Sequence, residues 1–388
     1  MTYRVVFDDV CLQLGESGIA RVWTEIIYRL QQSDKLKSLD IEPYFINRSN
    51  KIDLSSFVSI DFPNYDFRFP AADRKLVSRY CESVDAHLFV SSYYTFALET
   101  PNLGIVYDLI PERFGFGRMN RGWFERELSI KAADSYFVIS ENTKKDLNFF
   151  YPYSKRSEIT VAYPGIDTHR FKPSSMDAIE EFKSRYSVKR YFVMLGSRYG
   201  EGHYKNGELV INAVQMLEDV DFGLIFIGGE ELTERELRLA DEKGIEILRL
   251  NLGDQELIDC LSGAEALIYP SLYEGFGMPP VESLAVGTPV ITTRLASLPE
   301  AAGELAMYIS GYAAEELASI LSNPIPVAVV QRVREEGPRW ASKFSWEAMT
   351  DALIGAISNA VRPTAPRIDQ VTKAYISAYS SVVEKMQH

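Results

Sequence analysis

From Tyr273 to Val290 the chain reads YEGFGMPPVESLAVGTPV, in which Glu274 and Glu282, with seven residues between them, bracket a Gly-Phe-Gly-Met-Pro-Pro turn. Gly275 and Gly277 let the backbone take a positive φ or come close to a ligand. Pro279 and Pro280 suit a helix entrance, where a missing N–H costs little. The spacing therefore predicts a short helix from near Pro280 that stops at Gly287. Glu282 then falls in its first turn, beside unpaired amides and the positive end of the helix dipole. A carboxylate there either caps its own helix or accepts from sugar hydroxyls, and the amides from Gly275 to Met278 face an anion such as phosphate.

Outward from this block, apolar runs at Tyr191 to Leu195, Gly223 to Ile227, Ile245 to Leu248, Ala266 to Tyr269 and Val290 to Thr293 alternate with helical patterns near 207–217, 232–243, 254–262 and 280–286. That alternation predicts an α/β unit on a parallel sheet. A similar series precedes it, at Tyr3 to Phe7, Pro43 to Ile46, His87 to Ser91, Leu103 to Tyr107, Tyr136 to Ile139 and Ile159 to Ala162. AYPGIDTHRFKP (162–173), interrupted by Pro164, Gly165 and Pro173, marks the boundary. The expected domains are 1–170 and 171–362, with a last helix over about 363–388, after the break RPTAP, packing back on the first.

In open α/β sheets ligands bind beyond the carboxyl ends of strands, so the loops there matter most. GSRYGEGHYKN (196–206) carries Arg198 and Lys205, a cation pair suited to a diphosphate. LGESGIAR (14–21) joins the first strand to a helix over Ile19 to Leu30, and its glycine amides suit phosphate or serve the turn alone. VYDLIPERFG (106–115) places Tyr107 and Asp108 at a strand end. Asp219 and Asp221 have metal-binding spacing but precede a strand, on the edge away from ligands. Asp8 and Asp9 lack a third ligand, so no metal is expected.

The block at 273–290 resembles the donor-site signature of the retaining glycosyltransferases of family 4, which have the GT-B fold: Glu-Gly-Phe-Gly-x-Pro, a second Glu, then Gly-x-Pro-Val, every position kept here. Ser-Glu-x-Thr-Lys at 140–144 and Phe-Ser-Trp at 344–346 extend the resemblance over most of the chain. It implies two Rossmann-like domains with parallel sheets facing a central cleft, and transfer of a sugar from a UDP- or GDP-linked donor to a glycan or lipid-linked acceptor, with retention and without a cofactor or metal. It assigns the ribose to Glu282, the donor sugar to Glu274, and the diphosphate to Arg198, Lys205, Gly18 and the turn of Gly275, Phe276, Gly277 and Met278. Related enzymes carry a histidine close to the sugar where this chain has Tyr107, whose hydroxyl is the replacement; Asp108 is retained. Cell-surface polysaccharide assembly is the expected setting. A sugar phosphorylase, an epimerase or a sugar-nucleotide sensor without turnover shares the fold.

Composition sets the remaining bounds. The 388 residues suit two ordinary domains, and 46% hydrophobic with 24% charged residues is a globular composition. A formal charge of −13 argues against a nucleic-acid surface. Cys11, Cys81 and Cys260 are too few and too far apart for a disulfide framework, and no run approaches the roughly 20 apolar residues of a membrane span. A cytoplasmic protein is expected. ERFGFGRMNRGWFERE (112–127) reads as an amphipathic surface helix and loop, with a membrane face or an acceptor as the alternative partner.

Overall fold

The computed structural model describes residues 2–362 apart from Glu16 and 117–119. It divides into two compact units, one of Met1–Gly165 joined by the chain from Trp346, the other of Ile166–Ser345. In the first, strands β1 (Tyr3–Asp8), β2 (Ile41–Asn47), β3 (Val58–Asp61), β4 (Leu88–Ser91), β5 (Asn102–Val106), β6 (Ser135–Val138) and β7 (Ile159–Val161) form a parallel sheet of order β3-β2-β1-β4-β5-β6-β7. In the second, β8 (Tyr191–Leu195), β9 (Gly223–Ile227), β10 (Ile247–Leu250), β11 (Ala266–Tyr269), β12 (Val290–Thr293) and β13 (Met307–Ile309) run in the order β10-β9-β8-β11-β12-β13.

Helices cover both faces of such sheets, so the strands read as continuous apolar runs. Val193, Ile225, Ile268 and Ile291 are fully or almost fully buried, each burial supplying about 2 kcal/mol of transfer free energy. In both sheets the order reverses beside the first strand, between β1 and β4 and between β8 and β11. Ala266 pairs with Phe192 and Leu267 with Val193, a register that sets the end of β11 level with the end of β8. The loops after β8 and β11 thus leave from either side of the switch point, where α/β sheets hold ligands.

Two expectations are corrected here. The chain does not stay in the second unit to 362: the helix Trp346–Val361 packs in the first, against the helix Gly18–Gln32. Its buried stripe of Trp346, Met349, Leu353 and Ile357 supplies the reason, and Arg29 Nε reaches Glu347 at 2.7 Å alongside. The last helix expected over 363–388 lies outside the described residues. The strand expected at Ile245 to Leu248 begins at Ile247, because the Ile245 amide closes the preceding helix on the Ala240 carbonyl, 3.1 Å away.

Candidate functional site

The 273–290 block folds as a tight turn entering the helix Met278–Ala285. Gly277 has φ +104°, a backbone conformation that favours glycine, and a Cβ there would stand 3.1 Å from Leu298 Cδ2. Gly287, at φ +79°, follows the helix as the sequence predicts. Ser297, fully buried, donates its hydroxyl to the carbonyls of Glu274 (2.8 Å) and Phe276 (2.9 Å), which pins the turn from behind.

The helix starts two residues before Pro280, which corrects one reading: Glu282 is its fifth residue, outside the first turn, and so does not cap the helix start. The two prolines carry no N–H at 279 and 280, so the amide donors of the turn end at Met278. Glu282 is 4% exposed.

Glu274 is the centre of the arrangement. Its Oε1 accepts from Lys205 Nζ at 2.8 Å and from the Tyr269 hydroxyl at 2.8 Å, and Lys205 Nζ also donates to the Tyr269 oxygen at 2.9 Å. Lys205 leaves the loop after β8, Tyr269 ends β11 and Glu274 follows it, so the three groups meet over the switch point of the second sheet. The loop carrying Lys205 is held by Asn206, whose amide donates to the carbonyls of Pro270 and Gly311 (3.2 and 2.8 Å), and by Leu272 N donating to Tyr204 O at 2.7 Å. Burial, and next the Glu274 charge, hold the Tyr269 phenol well above its usual value, so it stays a donor. Sequence reasoning missed Tyr269, although a hydroxyl ending the strand that opens the signature was a usable signal.

Arg198 is not part of this cluster. Its side chain turns into the second unit: Nε donates to Glu236 Oε1 at 2.7 Å and Nη2 to the carbonyls of Glu230 and Glu231 at 2.7 and 3.0 Å. The guanidinium lies 4.5 Å over the Phe226 ring, and both members of the Arg198–Glu236 pair are fully buried. Glu236 also closes the capping box of the helix Glu234–Lys243, accepting from Thr233 N at 2.7 Å. Arg198 therefore ties the root of the Lys205 loop to that helix.

The remaining candidates belong to the first unit. Gly18 opens the helix Gly18–Gln32, with Ser17 Oγ capping Ala20 N at 3.1 Å, so its amide stands at a helix start. Tyr107 does not offer its hydroxyl to solvent. The residue is 2% exposed, packs 5.9 Å from the Tyr93 ring, and its buried oxygen has no hydrogen-bond partner. Asp108 accepts from Ile110 N at 3.0 Å and lies 3.6 Å from Arg126, whose guanidinium also bonds Glu112 at 2.7 and 3.0 Å. Asp8 is spent on the buried Arg48, at 2.7 Å, and Asp9 accepts from Arg48 N at 2.8 Å. Among the described residues no group of three or more His, Cys, Asp or Glu is placed to hold a metal, and no helix is long and apolar enough to cross a membrane.

Two parallel-sheet Rossmann-like units define an α/β protein of the GT-B class. Solved structures share this architecture over nearly the whole chain. A glycosyltransferase from Rickettsia africae aligns with TM-score 0.66 at 17% identity, covering 94% of this chain and all of that one. Anabaena HepE in complex with UDP and glucose aligns with TM-score 0.66 at 16% identity, covering 92% and 99%. Residues 177–327 match the family model Glycosyl transferases group 1. Among curated relatives, a D-inositol 3-phosphate glycosyltransferase of Corynebacterium jeikeium is 29% identical over 57% of this chain. The mannosyltransferase WbdA of Escherichia coli is 23% identical over 66% of it. The aligned stretches span 56% and 34% of those two relatives.

Proposed function

We propose that the protein is a retaining hexosyltransferase that moves a sugar from a UDP- or GDP-linked donor to a hydroxyl of a glycan or lipid-linked acceptor, in the cytoplasm and in the service of cell-surface polysaccharide assembly. The observation that carries this reading is the Lys205–Glu274–Tyr269 cluster over the switch point of the second sheet. It joins a cation for a leaving group to a carboxylate for sugar hydroxyls. The fold and the 177–327 family match support it, as do relatives named as glycosyltransferases and a structural neighbour that binds UDP and glucose.

In the reaction so read, the bond between the anomeric carbon and the phosphate oxygen breaks while the acceptor oxygen adds on the same face. The departing phosphate takes the acceptor proton, so no protein nucleophile is needed. Lys205 answers the charge that grows on the phosphate, and the 275–278 amides share it. Glu274 accepts from donor hydroxyls and Glu282 from the ribose, fixing the anomeric carbon. Resident positive charge at Lys205 is the reason the proposal needs no metal.

The test is thermal unfolding with a panel of UDP-, GDP- and ADP-sugars, followed by assay of nucleoside diphosphate release with and without glycan acceptors. One donor class should raise Tm by mass action and be turned over. No stabilisation by any of them would end the reading. Binding without turnover would favour a sugar-nucleotide sensor, a reading to which the inward Tyr107 hydroxyl gives some support.

A further inference from the structure

Trp123, Glu127 and Lys131 recur at every fourth residue of the helix Arg121–Ala132 and so share one face of it. Leu128 and Ala132, on another side, hold the helix to the first unit by packing with Phe96. The face of Trp123 borders a hollow of about 490 Å³, an ordinary size for a ligand site. Its walls are aromatic. Phe116 and Trp123 lie 5.8 Å apart between ring centroids, and Phe150, Tyr151 and Tyr153 complete the lining from the end of the helix Glu141–Phe150 and the turn that follows it. The charges around it cancel: Glu112 accepts from the buried Arg126 at 2.7 and 3.0 Å and from the Tyr151 hydroxyl at 2.6 Å, and Glu127 accepts from Lys131 at 2.6 Å. Trp123 adds a buried indole N–H that has no acceptor among the described residues.

We propose that this hollow is a second carbohydrate site, which holds a neutral pyranose of a glycan chain against Trp123 while Glu127, Glu112 and Lys131 meet its hydroxyls. A pyranose has a face of C–H groups that packs on aromatic carbon, and a rim of hydroxyls that both donate and accept. The lining offers the complement of each. A phosphate or another anion finds no net positive charge here. An alkyl chain would strip water from two ion pairs and return no hydrogen bonds. None of the groups assigned to the donor lines the hollow, nor does Asp108 at its strand end, so a sugar held here is not the one that reacts. Its task is to retain the chain by a unit away from the reacting end. The inference rests on the proposed transfer only in taking a glycan as what the protein meets.

The experiment is saturation-transfer NMR of the full chain with maltotriose, cellotriose and α-mannotriose, each alone and with UDP or GDP in excess. At least one trisaccharide should bind with a dissociation constant on the order of 1 mM, receive saturation mainly at ring C–H protons, and keep its signal when the nucleotide is added. Trp123→Ala should weaken that binding about tenfold, Glu127→Gln roughly tenfold, and Trp123→Phe much less. Thermal unfolding certifies the variants. Should Trp123→Ala fail to fold, the isosteric Glu127→Gln and the conservative Trp123→Phe carry the test. No transfer to any trisaccharide, displacement of the sugar by the nucleotide, or indifference to both Trp123→Ala and Glu127→Gln would overturn the proposal. The readout needs neither donor nor turnover, so its failure leaves the transferase reading standing, and absence of turnover leaves this site standing.

Discussion

Lys205 Nζ and Glu274 Oε1 stand 2.8 Å apart although 69 residues separate them, and the side chains are 19% and 11% exposed. Removing the lysine leaves a mostly buried carboxylate that keeps the Tyr269 hydroxyl as a donor. Lys205→Ala is expected to cost about 1–3 kcal/mol of stability by urea unfolding and to cut nucleoside diphosphate release roughly a hundredfold or more. Glu274→Gln should preserve stability better while losing comparable turnover. Equal activity of both variants with the parent would remove the cluster from the site.

Arg198 gives the opposite expectation. Its pair with Glu236 is fully buried, so Arg198→Ala strands a carboxylate in the interior at a cost of about 3–5 kcal/mol. The double variant Arg198→Met with Glu236→Gln should regain much of that loss. In the folded fraction donor KM should change far less than for Lys205→Ala. A large KM effect at full stability would restore Arg198 to the diphosphate.

Asp9 supplies a pH dependence. Burial, and next the neighbouring Asp8 charge, raise its carboxyl from 3.8 to about 6. The folded state therefore binds a proton that the unfolded chain has released between these values. The contribution of Asp9 to stability falls as pH climbs from about 4 to about 6, by about 3 kcal/mol in all, and is flat above. Unfolding of Asp9→Asn beside the parent at both ends of that window should show the parent losing ground to the variant as pH rises. An unchanged difference between them would contradict the shift.

Gly337 sits where a Cβ would come 2.3 Å from the Leu284 carbonyl oxygen, so the helix Val327–Ala341 must lie directly on the helix that carries Glu282. Gly337→Ala is expected to push the two apart, at about 1–3 kcal/mol, and to weaken donor binding through Glu282. Calorimetric unfolding and a donor titration check both parts; a silent variant would mean the two helices part without consequence.

Much of this was legible in the sequence because local chemistry determined it. The turn at 273–290 declares itself through glycines and prolines whose backbone needs are met within a few residues. Long apolar strands such as Gly223–Ile227 likewise announce themselves. β3 escaped notice because it is an exposed edge strand of four residues, VSID, with no buried face to create a pattern. β13 escaped because it has three residues. The inward turn of Arg198 was hidden because its partner Glu236 lies 38 residues on, in the helix Glu234–Lys243. Tyr107 stands at a strand end that suits a ligand contact, and only packing against Tyr93 shows that its hydroxyl points elsewhere.

The strand order of the second sheet has one further consequence. Between β8 and β11 the chain makes two excursions, through β9 and β10, which extend the sheet on the far side of β8 before the polypeptide returns to lie against β8 itself. Lysine and glutamate are strangers until that return is complete. The Lys205–Glu274 pair is thus a mark of finished folding: a chain arrested with its early strands in place would not yet have brought the two side chains together.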